Sequence, residues 1–119
     1  MNILLINTAS REALVTLIRD GHILGQKSWF SDRTLGRQLL ESIDEVLKEA
    51  GLERDGIDRI AVHRGPGHYS ALRTGIVTAS ALAWALGCEL VEVGADNLEE
   101  IITETVNNTP VVAVKPQYD

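Results

Sequence analysis

The chain has 119 residues, 45% hydrophobic and 24% charged, and its 17 acidic against 11 basic side chains leave a formal net charge of -6. That length and balance suit a single soluble domain with one real core, and the acidic excess disfavours direct RNA binding, which relies on clustered Lys and Arg against phosphates. No apolar run approaches the roughly 20 residues that cross a bilayer.

The opening residues, Met1-Asn2-Ile3-Leu4-Leu5-Ile6, have neither the basic leader nor the cleavage site of a signal peptide, so the expected location is the cytoplasm. Asn2 to Asn7 reads as a strand buried on both faces, Ala13 to Arg19 as a second strand, and Gly21 to Phe30 as a third, joined by a tight Asp20-Gly21 turn. From Asp32 or Arg33 to Ala50, Leu35, Leu39, Leu40, Ile43, Val46 and Leu47 recur at helical spacing, and Gly51 stands where a helix C-cap is wanted. Ile57 to His63 reads as a buried strand, residues 70 to 86 as a second helix closed by Gly87, and Glu89 to Val93 as another strand. Ala95 to Val106 is predicted helical, with a last strand over Val111 to Val114 after Pro110. An antiparallel meander followed by alternating helix and strand implies an α/β fold: a mixed five-stranded sheet flanked by helices, its later strands parallel to the first.

Between the fourth strand and the second helix lies Gly65-Pro66-Gly67-His68-Tyr69-Ser70-Ala71-Leu72-Arg73-Thr74-Gly75. Two glycines around a proline make a sharp turn, and Ser70 stands where a helix N-cap hydroxyl takes up a free backbone N–H. A glycine corner feeding a helix can cradle an anion, yet this one lacks the Gly-Lys-Ser/Thr ending of a P-loop and the spacing of a dinucleotide fingerprint, and a turn that sets helix geometry is the preferred reading. His63 and His68 bracket the corner without a third ligand or a zinc-site spacing, so they are read as a strand-end and a loop histidine and no metal is assigned. Cys88, the only cysteine, is read as a small buried hydrophobe. Arg11, Arg33, Arg37, Arg64 and Arg73 either scatter in solvent or gather in space, a choice that spacing leaves open.

The second helix carries Gly75, Ala79 and Ala83 four apart, with Leu72, Ile76, Leu82 and Leu86 beside them and Val77, Ala81, Trp84 and Ala85 extending the apolar surface around the circumference. A helix apolar all round is covered on more than one side. Leaving four or five such side chains wet forfeits about 1.5 to 3 kcal/mol each relative to full burial. Either the first helix or another polypeptide covers them.

The glycine segment resembles the GPGSFTGLRIG signature of the TsaB (YeaZ) family, the partner subunit in bacterial synthesis of threonylcarbamoyladenosine in tRNA. Gly65, Pro66, Gly67, Leu72, Arg73 and Gly75 stand as in that family, while His68, Tyr69, Ser70 and Ala71 replace Ser, Phe, Thr and Gly. The likeness extends to the first strand, the helix segment Gln38 to Leu52 and the Ala-Leu-Gly end of the second helix. It implies a short form, one lobe of the actin-like, Hsp70-like ATPase fold, also called ribonuclease-H-like, with Val111 to Val114 opening a second lobe that is missing. It further implies a non-catalytic scaffold that binds and activates the catalytic homologue TsaD, with TsaE as a further partner and a homodimer when alone. Carried over position by position, the partner interface is Leu39, Leu40 and Ile43 on the first helix and Arg73, Gly75, Ile76, Thr78, Ala79 and Leu82 on the second.

Two departures bear on chemistry. The family's first strand ends in Asp-Thr-Ser where this one has Asn7-Thr8-Ala9-Ser10, and an amide holds a nucleotide's metal less strongly than a carboxylate. A single lobe also lacks half the walls of a cleft between lobes, so neither ATP nor any other cofactor is assigned. The alternatives are a degenerate nucleotide-binding lobe that uses the Gly65 to Arg73 corner as an anion cradle, and a homodimeric module unrelated to tRNA.

Overall fold

The computed structural model describes residues 1–118, in the element order β1 (Asn2–Asn7), β2 (Glu12–Arg19), β3 (His22–Phe30), α1 (Leu35–Glu49), β4 (Arg59–His63), α2 (Tyr69–Leu86), β5 (Glu89–Val93) and α3 (Leu98–Asn107). The strands form one mixed sheet in the order β3-β2-β1-β4-β5. β1 pairs antiparallel with β2 and parallel with β4, and β4 runs parallel to β5. Asp20 and Gly21, both at positive φ, close the β2–β3 hairpin, the geometry that two-residue turns need to match strand twist. The register slips between Leu17 and Ile18, which face Gly25 and Ile23 and leave Leu24 unpaired.

β1 lies at the centre of the sheet, which is why its run of apolar residues does not alternate with polar ones. Leu4 and Ile6 point to one face, where Val15, Leu17, Ile60 and Val62 join Leu35, Leu39, Ile43 and Val46 of α1 and Ala79 and Ala83 of α2. Ile3 and Leu5 point to the other, packed with Ala61, Val91, Val93 and Ile101 beneath α3. The result is a three-layer sandwich with α1 and α2 on one side and α3 on the other.

Most sequence-derived boundaries shift by a few residues, and the reasons are local. α1 begins at Leu35 because the Asp32 carboxylate accepts from both the backbone N–H and the hydroxyl of Thr34, at 2.8 and 2.7 Å. A side chain that captures the backbone in this way competes with helix. Its other end is as expected: Gly51 at φ 70 lets Leu52 N–H reach the Leu47 carbonyl at 2.9 Å. β4 starts at Arg59 because a 3-10 turn, Arg54–Gly56, occupies the residues before Ile57. α3 starts at Leu98, capped by the Asn97 side chain, which accepts from Glu100 N–H at 2.9 Å.

The strand expected over Val111 to Val114 does not form. Those residues run instead as an irregular tail, held to β5 by Val111 N–H donating to the Leu90 carbonyl at 2.8 Å and by Lys115 N–H donating to Glu92 Oε2 at 3.2 Å. Asn108 Nδ2 takes the Glu92 carbonyl at 2.8 Å, so the outward-facing carbonyls of Leu90 and Glu92 are both occupied.

Candidate functional site

The glycine corner links the end of β4 to α2 and is gripped from two sides. An ideal Cβ at Gly67 would stand 2.7 Å from the Ala9 carbonyl oxygen, and one at Gly65, itself at φ 100, would collide with the Gln117 carbonyl. The glycines are therefore spaces for the β1–β2 turn and for the tail. Gln117 donates its N–H to the Arg64 carbonyl at 2.7 Å and accepts from Gly67 N–H at 3.2 Å, and Tyr118 bridges to Gly67. Pro66 follows a cis bond.

Ser70 is not the N-cap that its hydroxyl suggests. The cap position falls on His68, which makes no side-chain capping bond, and Ser70 lies inside the first turn with its carbonyl accepting from Thr74 Oγ1 at 2.9 Å. The two histidines do not converge. His63 is buried, its Nε2 2.9 Å from the Ala95 carbonyl and its Nδ1 accepting from Gly65 N–H at 3.1 Å, so both ring nitrogens lock neighbouring loops and neither has a lone pair to spare. His68 is exposed on the rim of a groove. No group of three metal-ligating side chains occurs among the described residues.

That groove, about 700 Å³, lies between the β1–β2 turn, the β3–α1 turn and the first turns of both helices. Arg11 and Arg33 line it together with Asp32, whose carboxylate Thr34 holds below the ordinary aspartate range. The five arginines do not gather. Arg37 sits 3.8 Å from Glu41, Arg73 donates to Tyr69, and Arg64 lies against Gly94 with its Nε buried and unpartnered. Asn7 uses its side chain locally, accepting from Ala9 N–H at 3.0 Å.

Part of the expected docking stripe lies inside the chain. Leu39, Ile43, Gly75 and Ala79 are buried inside this chain, Ala79 completely, so they are not a surface that a partner meets. At Gly75 the close neighbour is Thr8, just past β1: a Cβ there would fall on the Thr8 side chain, within 3.0 Å of its Cγ2 and closer to Oγ1. Small residues at 75, 79 and 83 let α2 settle onto the sheet. Ile76, Thr78 and Leu82 are half-buried at the margins of that contact, while Leu40 and Arg73 are exposed.

What α2 does present is a different ridge. Tyr69, Arg73, Val77 and Trp84 fall within about 80° of arc at 100° per residue, and Trp84 is 87% and Val77 55% exposed. No charged residue follows Arg73 on this helix. A large exposed aromatic on a helix face with a single charge, at Arg73, is the pattern of an interaction surface. Val77, Ala81 and Trp84 were visible in the sequence only as an extension of the apolar surface, with nothing to mark them as the exposed side.

A structural core missed by sequence reasoning lies behind β4. Arg59, buried, donates to Glu89 Oε1 at 2.8 Å and to the carbonyls of Thr105 and Val106 at 3.1 and 2.9 Å, neutralising the C-terminal end of α3. Glu104 accepts from the backbone N–H groups of Gly94 and Ala95. An arginine inside an apolar strand, with a glutamate at the paired position of the next, was the available clue.

YeaZ from Pseudomonas aeruginosa superposes on this chain with a TM-score of 0.72 at 29% identity, covering 78% of this chain and 43% of that one. A family model described as TsaD, tRNA N6-adenosine threonylcarbamoyltransferase, matches residues 30–114. The chain belongs to the TsaD/TsaB family. The sheet and its flanking helices are accordingly those of the actin-like, ribonuclease-H-like fold. Among curated relatives, the tRNA N6-adenosine threonylcarbamoyltransferase of Anaeromyxobacter sp. (strain Fw109-5) is 34% identical over 109 residues, covering 78% of this chain and 33% of that protein. The tRNA threonylcarbamoyladenosine biosynthesis protein TsaB of Bacillus subtilis is 24% identical over 86 residues, covering 72% and 38%. The chain thus spans about a third of each of these two curated relatives of the TsaD/TsaB family. No helix among its described residues is long and apolar enough to cross a membrane.

Proposed function

We propose that this chain is a non-catalytic scaffold of tRNA threonylcarbamoyladenosine synthesis that docks a cytoplasmic TsaD homologue onto the exposed ridge of α2. The observation that carries the reading is Trp84, 87% exposed on a helix whose opposite side is fully committed to the sheet. Covering Trp84 and Val77 returns much of the about 1.5 to 3 kcal/mol that each large apolar side chain gains on burial. Binding that prefers one arrangement of the catalytic subunit stabilises that arrangement, which is how a scaffold without chemistry activates. In favour of a non-catalytic role, β1 ends in Asn7, whose amide is spent on its own turn, and both nitrogens of the buried His63 are spent on backbone. Without its partner, the same ridge pairs with a second copy in an isologous contact.

The test is size-exclusion chromatography of the chain mixed with the TsaD homologue of the same organism. Wild type is expected to co-elute, and Val77→Glu combined with Trp84→Glu is expected to elute alone with unchanged circular dichroism. Undiminished co-elution of that double variant overturns the assignment of the face.

A further inference from the structure

We infer that Lys115 to Tyr118 form a strap whose seating on the Gly65-Pro66-Gly67 corner sets two walls of the neighbouring groove. Releasing the strap reshapes that groove while the sheet stays folded.

The tail divides into a stem and a strap. The stem is tied to the core: Val111 and Val114 pack against the main apolar cluster, and Val111 N–H donates to the Leu90 carbonyl at 2.8 Å. Beyond Val114 none of the described residues is buried. The strap is held there by Lys115 N–H on Glu92 Oε2, by two hydrogen bonds of Gln117 with the corner, and by the Tyr118 ring, 4.8 Å from that of Tyr69. A segment with few buried apolar contacts opens at a free energy well below that of global unfolding. The strap therefore leaves while the stem stays.

The corner is shaped to receive it. Gln117 donates its N–H to the Arg64 carbonyl at 2.7 Å and accepts from Gly67 N–H at 3.2 Å, the reciprocal pairing by which an added strand is recognised. Both bonds belong to the main chain of Gln117, and a side chain at position 65 would take the place of its carbonyl oxygen.

Gly67 is the point where strap and groove meet. Its N–H is held by Gln117, and it lies so close to the β1–β2 turn that a Cβ would stand 2.7 Å from the Ala9 carbonyl oxygen. Ala9, Ser10 and Arg11 line one side of the groove, and His68, Ser70 and Ala71, which follow the corner, line another. Leu72 N–H donates to the His68 carbonyl at 2.9 Å and closes the first turn of α2. With the strap seated, Gly67 is fixed between two backbones. Without it, Gly67 N–H and the Arg64 carbonyl lose their partners, and both sides of the groove lose a shared support.

The experiment compares amide hydrogen exchange and two-dimensional nitrogen–proton NMR spectra of the full chain with those of strap variants. Gln117→Pro removes the N–H that meets Arg64, Tyr118→Ala removes the ring contact, and Gln117→Ala keeps the main-chain bonds. Gln117→Pro is expected to speed exchange about tenfold at Gly67 and Leu72. It is also expected to move the resonances of Ala9, Ser10 and Ser70 while exchange at Leu4 and Val62 in the sheet stays unchanged. Tyr118→Ala is expected to act in the same direction to a smaller extent, and Gln117→Ala to match wild type. Changes confined to the strap, Arg64 and Gly67 would mean that the strap touches the groove without setting it, and the inference fails. It fails equally if Leu4 and Val62 speed up as much as Leu72, since the tail then opens only with the whole fold, or if Gln117→Ala behaves as Gln117→Pro does.

Discussion

Replacing Gly75 with alanine tests whether α2 is seated by close approach to Thr8. In a helix interior the change from glycine to alanine ordinarily stabilises, by up to about 1 kcal/mol. Here the added methyl would lie 3.0 Å from Thr8 Cγ2, 3.1 Å from its Cβ and nearer still to Oγ1, and Thr8 is itself buried. Overpacking of this kind costs about 1 to 3 kcal/mol, so Gly75→Ala is expected to be net destabilising, by up to about 2 kcal/mol once the helix gain is subtracted. The second half of the cycle relieves most of that cost. Thr8 Oγ1 is buried without a hydrogen-bond partner, so Thr8→Ala removes the two nearest atoms, one of them an unsatisfied polar atom, and leaves only the Cβ contact at 3.1 Å. In that background Gly75→Ala is expected to cost less than in wild type. Urea denaturation followed by far-ultraviolet circular dichroism gives the four free energies. If Gly75→Ala alone were as stable as wild type, the contact would not be what fixes α2 on the sheet.

Three further outcomes follow from other parts of the molecule. Ala79→Glu places a carboxylate at a fully buried position, where an unpaired charge costs several kcal/mol of a total stability of about 5 to 15; it is expected to unfold the chain or sharply lower its Tm, whereas Trp84→Glu leaves the Tm nearly unchanged. Thr34 holds the exposed Asp32 carboxyl below its ordinary range, so its contribution is complete above the unfolded aspartate pKa of about 3.9 and is lost as pH falls through the lowered value. The Tm difference between wild type and Asp32→Ala is therefore expected to hold at neutral pH and to shrink in strong acid. Burial pushes the Cys88 thiol up, which lowers its thiolate fraction, and iodoacetamide at pH 8 is expected to label it more slowly in the native chain than in urea.

Periodicity and punctuation were enough to read the five strands and three helices, because Leu35, Leu39, Ile43 and Val46 mark one face and Gly51 and Gly87 mark ends by mechanisms that act locally. The orientation of α2 was not legible. Its composition is apolar on every side, so nothing in its pattern distinguishes inside from outside, and small residues serve a sheet contact as well as a partner. The close neighbour of Gly75 is Thr8, far away in sequence. The same holds for Arg59 and for the tail: their partners, Glu89, the end of α3 and the Gly65-Pro66-Gly67 corner, are neighbours only after folding. Ser70 was misread because an N-cap hydroxyl and a first-turn hydroxyl look alike in sequence.

With the Leu90 and Glu92 carbonyls already taken by Val111 and Asn108, the β5 margin offers an incoming strand fewer free acceptors, and β3 is the more open of the two edges among the described residues. Strand addition at β3 joins two copies edge to edge. Growth beyond that pair has to use flanks whose acceptors are already spent, which works against one of the commonest paths to insoluble polymer.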